Sequence, residues 1–296
     1  MKTVVAIIAP GSMGAAVARR LSDNGLEVLT TLAGRSATTR ERAAAAGMHD
    51  VPARELMRAD LLLSIVPPGV ALALADEISG WPGPRAHRPL FIDCNAVSPE
   101  TVRKVAARVE SAGFEFVDAG IIGAPPHPGA VGPSIYASGP QAPRLEVLGD
   151  FGLRIRPLDA HVGAASALKM SYAGITKGLI ALASSMILAA RRAGVDAALH
   201  QELGESQHGL LESFGRTIPA MYRKAYRWVA EMREIARFAG PDAGAEAMYC
   251  GAAQLYERLA RDLETECIET EALSAFLENR EPDLSQRPIV VPARQP

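Results

Sequence analysis

Val4-Val5-Ala6-Ile7-Ile8 runs directly into Ala9-Pro10-Gly11-Ser12-Met13-Gly14, and helix-forming residues follow from Ala15 to Asn24. Five consecutive apolar residues, four of them β-branched before the first breaker, read as a buried strand. The turn after it must bring backbone N–H groups and a helix N-terminus close to a bound anion. Gly11 leaves no side chain in the way, and Gly14 lets the helix pack tightly on the strand. Ala9 stands where such a turn ordinarily has its first glycine. Gly25 closes the helix.

Outward from this stretch, short apolar runs alternate with helical segments, the pattern of a parallel sheet. Val28 to Leu32, Leu61 to Val66, Leu90 to Asp93, Phe114 to Asp118 and Ser134 to Ser138 read as strands. Ala43 to Ala46 reads as helix stopped by Gly47. Thr101 to Ser111 reads as helix capped by Ser98, with Pro99 at its first position. The fold class this predicts is an α/β Rossmann domain, doubly wound around a mainly parallel sheet, over residues 1–160.

After His161 Pro and Gly become sparse. Leu168, Tyr172, Ile175, Leu179, Leu182, Met186, Ala189 and Ala193 recur alternately four and three apart, the seam of a long helix. From His161 to Arg192 that helix would be about 50 Å long. We expect it to be largely buried, as the spine of an all-α domain over 161–280, and to end at Gly194. Residues 281–296, rich in Pro, Arg and Gln, are expected to be a flexible tail.

Composition excludes several classes. The chain has 296 residues, 48% hydrophobic and 22% charged, ordinary for a globular protein. A formal net charge of -2 gives no reason to expect nucleic acid or an anionic membrane as partner. Cys94, Cys250 and Cys267 show no metal-ligand or CxxC spacing, so no metal site or disulfide framework is expected, and a cytoplasmic location is. Val4 to Ile8 after Lys2 imitates a signal peptide, but Pro10, Gly11 and Gly14 interrupt it. No stretch of about 18 apolar residues lacks charges or breakers, so no membrane span is expected.

The second strand bears on the nucleotide. It leaves through Ala33-Gly34-Arg35-Ser36 with no carboxylate at its end, where an NAD-preferring site holds a ribose hydroxyl. An arginine and a hydroxyl suit a 2′-phosphate instead. NADP is therefore expected over NAD, with Gly11, Ser12, Met13, Gly14, Arg35 and Ser36 at the cofactor; a solvated surface arginine is the bland alternative for Arg35.

Taken together these segments resemble the β-hydroxyacid dehydrogenase family, which includes 3-hydroxyisobutyrate, tartronate semialdehyde and 6-phosphogluconate dehydrogenases, in a less characterised branch with a divergent helical domain. The family's opening G-x-G-x-M-G turn matches Gly11, Met13 and Gly14, and its Asn-Arg-Ser/Thr element matches Gly34-Arg35-Ser36. Its Leu-Pro after the fourth strand corresponds to Val66-Pro67. Its Asp-x-Ser-Thr-x-x-Pro loop by the nicotinamide corresponds to Asp93 through Pro99, with Asn95 and Ala96 replacing hydroxyls. The substrate loop Asp-x-Pro-x-Ser-Gly-Gly corresponds to Asp118 through Ala124, with Ile122 in the serine's place before Gly123 and Ala124. The family's Gly-x-Gly-x-x-x-Lys-x-x-Asn-Asn, at the start of the interdomain helix, corresponds to Gly163 through Ala173. Lys169 is kept, and Tyr172 and Ala173 replace the asparagines. The resemblance implies a homodimer associating through the helical domains, an interdomain active site, and Lys169 as catalytic residue. It further implies Val66, Pro67 and Asn95 at the cofactor, and Ile122, Gly123, Ala124 and Tyr172 at a small-molecule substrate.

Lys169 also draws notice on its own. A lysine on a helix expected to be buried must pair, ionise weakly or face a cavity. Hydride transfer at an alcohol carbon needs a proton moved at its oxygen, work a lysine can do. Lys177, two turns on, is a candidate to hold a substrate carboxylate or phosphate, or a structural lysine. His127, between prolines, is a candidate to touch substrate; His161 reads as a helix-entry residue, and His200 and His208 as surface or interface residues. Arg216, Arg223 and Arg227 read as a solvated stripe. Two other readings stay open: reduction of C=N on the same scaffold, and a non-catalytic NADP sensor.

Overall fold

The computed structural model describes residues 3–82, 88–126, 129 and 131–282, which fall into two compact units divided between Tyr172 and Ala173. His127 and the tail from 283 onward lie outside the described residues.

The first unit is built on an eight-stranded sheet in the order β3-β2-β1-β4-β5-β6-β7-β8. The strands are β1 (Val4–Ile8), β2 (Glu27–Thr30), β3 (Met48–Asp50), β4 (Leu61–Ser64), β5 (Leu90–Asp93), β6 (Phe116–Ile122), β7 (Ser134–Ser138) and β8 (Arg154–Pro157). All neighbours pair in parallel except β6 and β7, which are antiparallel. Reversal of strand order beside β1 makes its carboxyl end the switch point at which such sheets bind ligands. Helices α1 (Ser12–Asp23), α2 (Ala37–Ala45), α3 (Ala71–Ser79) and α4 (Pro99–Ser111) connect the strands.

Both faces of the sheet are covered, which is why its strands read as continuous apolar runs rather than alternations. One core gathers Val5, Ile7, Val28, Leu63 and Ile92 with Val17 and Leu21 of α1. The other gathers Ala6, Ile8, Leu62 and Phe91 with Ile78 of α3 and Val102 and Val105 of α4. Ser98 caps α4 as expected, its hydroxyl accepting from the Thr101 amide at 3.2 Å. The sequence reading missed β3, β8 and α3, and β6 runs four residues past Asp118. Gly120 explains the last difference: a glycine inside the strand reads as a breaker, but here it makes room for a helix backbone.

The long helix α5 (Ala164–Arg192) starts three residues later than expected, and its first turns belong to the sheet unit. The unit boundary therefore falls at 172/173 rather than 160/161. The second unit continues with α6 (Asp196–Ser206), α7 (His208–Tyr222), α8 (Ala225–Ala239), α9 (Ala243–Glu264) and α10 (Ile268–Leu277). Helices α8 and α9 are joined by a short turn in which the Asp242 carboxylate accepts from the Gly244 and Ala245 amides, at 2.9 and 3.1 Å. Trp228 of α8 meets Tyr256 of α9 edge to face at 5.2 Å.

The expectation that the α5 seam is its buried side is overturned. Ile175 is 71% exposed, Leu182 59% and Met186 55%, and Leu168, Tyr172 and Leu179 are also exposed. The buried side consists instead of Ala165, Met170, Ala173, Ile180, Ala181, Ala183, Ser184, Ile187 and Leu188. Two apolar stripes share the helix, and periodicity finds the one with larger residues without saying what covers it. By length and apolarity alone α5 suffices to cross a membrane, yet 50% of its most apolar window is buried inside the protein.

Candidate functional site

Four adjacent strands carry one polar row. Register pairs Ile8 with Ser64, Ser64 with Asp93, Asp93 with Asp118, and Asp118 with Ser138. The four polar residues of that row are buried. Just beyond it, at the carboxyl edge of the parallel strands, lie the turn after β1, Val66 after β4, Asn95 after β5 and Ile121 near the end of β6.

The turn after β1 has the geometry of an anion cradle. Gly11 is the N-cap of α1, with no side-chain cap and no acidic residue in the first turn. A Cβ on Gly11 would meet nothing within 4 Å, so the space beside the helix start is open, where the first-turn amides have no intrahelical acceptor. Gly14 differs: a Cβ there would sit 2.7 Å from the Ala9 carbonyl oxygen. Ala9 itself holds a left-handed φ of 65°. Ala9 thus adopts a conformation that favours glycine, at a cost of about 1 kcal/mol.

At the end of β2, Arg35 and Ser36 are exposed, and Ser36 caps α2 by accepting from the Thr39 amide at 3.3 Å. β2 has no acidic residue at its carboxyl end, its Glu27 lying at the other end and pairing with Arg58, but Asp50, from β3, accepts from the Leu32 amide at 2.9 Å and faces Arg40 at 3.8 Å. This carboxylate was not anticipated, because parallel neighbours are not adjacent in sequence. Val66 and Asn95 come together: the Asn95 side-chain oxygen accepts from the Val66 amide at 2.7 Å, and its amide group donates to the Ser64 hydroxyl at 2.9 Å. Pro67 precedes a short 3₁₀ turn at Pro68–Val70.

Lys169 is half-buried and its Nζ donates to the Ile121 carbonyl at 2.8 Å. Gly120 permits this approach, since a Cβ there would lie 2.9 Å from the Ala165 carbonyl oxygen and 3.1 Å from the Lys169 Cβ. Ile122 ends β6, and Gly123 (φ 128°) and Ala124 are exposed beyond it; a Cβ on Gly123 would come within 3.0 Å of Pro133. Tyr172, at the close of the sheet unit, is exposed. Lys177 belongs to the helical unit, where its ammonium pairs with the buried Glu231 carboxylate and lies 4.8 Å over the Trp228 ring. The Tyr256 hydroxyl donates to the Lys177 carbonyl at 2.5 Å, and burial pushes that phenol's pKa upward. Its contacts are those of a structural lysine. His200 packs on Phe276, and His208 faces Glu212.

The acids of the polar row, Asp93 and Asp118, were placed by the resemblance only as the first residues of two family loops, without their pairing across the sheet. Burial raises the Asp93 carboxyl from 3.8 to about 7, with the nearby Asp118 charge adding to the shift and the Asn95 amide, which donates to Asp93 Oδ1 at 2.8 Å, opposing it. The other oxygen of Asp93 is buried without a partner among the described residues. Burial and both acids push the Cys94 thiol up, which leaves it unreactive.

Residues 4–147 match the NAD binding domain of 6-phosphogluconate dehydrogenase, and residues 190–259 match a domain of unknown function, DUF1932. Conserved protein MTH1747, described as structurally similar to 3-hydroxyacid dehydrogenases, is 30% identical, with 87% of this chain and 98% of that one covered and a TM-score of 0.66. The chain belongs to the β-hydroxyacid dehydrogenase-like family. Its fold is shared by 3-hydroxyisobutyrate dehydrogenase from Mycobacterium tuberculosis in complex with L-serine, at 21% identity, 94% and 99% coverage and a TM-score of 0.66. It is shared too by an imine reductase variant from Myxococcus stipitatus bound to NAD+, at 17% identity, 87% and 95% coverage and a TM-score of 0.54. This family member thus carries an NAD-binding domain of the 6-phosphogluconate dehydrogenase kind, and its cradle fits the dinucleotide: an open glycine at a helix start and no competing carboxylate in the first turn.

Two outcomes follow. Gly11→Ala should melt near the wild-type temperature yet lose about tenfold or more in dinucleotide affinity, whereas Gly14→Ala should lower the melting temperature, because only the second substitution meets backbone. Fluorescence titration and thermal denaturation separate the two. Folded Asp93 keeps its proton to about pH 7, while the unfolded chain releases it near 3.8. The native state therefore binds more protons between those values, and its stability falls as pH rises from about 4 to 7, by on the order of 4 kcal/mol for this group. Asp93→Asn should flatten that fall; equal slopes in denaturant titrations of the two proteins would contradict it.

Proposed function

We propose that this protein is an NADP-dependent oxidoreductase that interconverts C–OH and C=O on a small, hydroxyacid-like substrate, with Lys169 as general acid and base. The observation that carries this reading is the placement of the Lys169 amine on the Ile121 carbonyl, at the same sheet edge as Asn95 on the neighbouring strand and the open turn after β1. Bound NADP supplies the hydride acceptor or donor. Gly11, Ser12, Met13 and Gly14 would hold the pyrophosphate, and Val66, Pro67 and Asn95 would flank the nicotinamide. Lys169 takes the hydroxyl proton in oxidation and returns one to the carbonyl oxygen in reduction. Ile122, Gly123, Ala124 and Tyr172 shape the substrate pocket; Ile122 offers no hydrogen bond where the family has a serine. Arg35 and Ser36 favour a 2′-phosphate, since Asp50, the nearby carboxylate, is already engaged by the Leu32 amide and faces Arg40. The three free cysteines suit a reducing, cytoplasmic setting.

The exposed seam of α5 supports a homodimer. Large apolar residues at alternating spacings of three and four form a stripe suited to another helix, and a two-fold axis presents the same helix from a second copy. Beside it, Gly174, Gly178, Leu182, Met248 and Tyr249 border an apolar cavity of about 540 Å³.

NADPH should bind more tightly than NADH, and Arg35→Ala should cost about tenfold in NADPH affinity while sparing NADH. Lys169→Ala should lower carbonyl reduction by about 10²–10⁴-fold with cofactor affinity intact. Reductive amination of a ketone with ammonia, in a protein inert toward carbonyls alone, would move the reading to C=N chemistry; binding without turnover of either would make it a sensor. Sedimentation should give a dimer for the wild type and a monomer for the double variant Ile175→Glu/Leu182→Glu.

A further inference from the structure

The tightest cluster of hydrogen bonds in the sheet unit is not at the nucleotide turn but under the start of α5. Asp118 is fully buried in the middle of β6. Its Oδ2 accepts from the Ser138 hydroxyl at 2.9 Å, the Gly163 amide at 2.9 Å and the Ser166 amide at 3.0 Å. Its Oδ1 accepts from the Ser166 hydroxyl at 2.6 Å. The Ser138 hydroxyl in turn accepts from the Ala165 amide at 3.0 Å. Three amides around the first turn of α5, which no intrahelical carbonyl can satisfy, are thus satisfied by side chains of β6 and β7. Lys169 follows Ser166 by three residues on the same helix face, and Ile121, its partner, follows Asp118 by three on the same strand. Between the two attachments Gly120 lets strand and helix backbones touch.

We propose that Asp118, through Ser166 and Ser138, is the positioning residue for Lys169: it fixes the height and rotation of the first turns of α5, so that the amine lands on the Ile121 carbonyl. The proposal rests on Lys169 being the acid and base, and deepens that reading. A cap supplied by a neighbouring strand sets the helix relative to the sheet that carries the cofactor turn, which a cap from the helix's own chain start could not do. A charge-assisted acceptor with four donors is also stiff, and acid–base catalysis is sensitive to displacements of about 1 Å.

The test uses Ser166→Ala, which removes one donor and leaves the backbone attachments, with Asp118→Asn as a stronger perturbation. Two quantities are read on the whole protein: kcat and KM for carbonyl reduction, and the rate at which acetic anhydride acetylates Lys169, followed by mass spectrometry. In Ser166→Ala, kcat should fall about tenfold, with KM and NADPH affinity within about twofold of wild type. Acetylation of Lys169 should be several-fold faster as the amine leaves the Ile121 carbonyl. Asp118→Asn, where it folds, should move both further in the same direction. Unchanged labelling of Lys169 in Ser166→Ala overturns the proposal, as does faster labelling with kcat intact, since the clasp would then be only a helix anchor. If the wild type turns over neither carbonyls nor imines, the functional reading fails, while the labelling comparison still decides whether the clasp holds the amine.

Discussion

A carboxylate buried in an apolar strand has to be satisfied where it stands, and Asp118 is satisfied by the start of a helix 45 residues away in sequence. Removing such a group from water without partners would cost several kcal/mol, so the position of α5 against β6 is not adjustable by small amounts. The nucleotide turn, the Val66–Asn95 bond and the Lys169 amine each sit at the end of a different strand. They lie along one sheet edge because the sheet fixes the strand ends and Asp118 fixes the helix start to the sheet. The neighbouring Asp93 sharpens this constraint. Two acids in register on adjacent strands cannot both carry charge cheaply, and it is Asp93, with one bonded oxygen, that holds its proton toward neutral pH, while Asp118 receives the donors.

The turn after β1 shows a second constraint of the same kind. Its backbone path is dictated by the close contact between Gly14 and the Ala9 carbonyl, so position 9 must be left-handed whatever residue occupies it. Alanine there carries strain that glycine would not, and the surrounding strand and helix hold it in place. A motif with a substituted glycine is therefore not a weakened motif in structural terms. Ala9 holds the left-handed conformation a glycine would take freely, and the substitution is read in stability.

Much of the fold was legible because buried parallel strands and capped helices leave local marks. The strand Val4–Ile8, the cap at Ser98 and the stop at Gly25 all concern residues within a few positions of one another. What was not legible is what depends on distant partners. Asp50 reaches the end of β2 from β3, and Glu231 engages Lys177 from α8. Ser166 and Ser138 have nothing in their neighbourhoods to distinguish them from solvated serines. β8 is short and alternates arginines with partly buried residues, a pattern of an edge strand that weak local signals do not reveal. Family resemblance located Lys169, but not the device that holds it.

The α5 helix shows why periodicity and burial are separate questions. A helix with one apolar stripe needs one partner; α5 carries two, and within one chain the smaller-residue stripe is the covered one. Small residues allow close approach to neighbouring helices of the same unit, as Gly174 and Gly178 do against Tyr249. The larger residues remain outside, where leucine, isoleucine and methionine at helical spacing are too contiguous for an ordinary solvated face. A stripe of that kind is the surface the proposed dimer would cover. Because it runs along the same helix that carries Lys169, whatever covers it also stiffens the element on which the proposed chemistry depends, so association and catalysis would share one structural support.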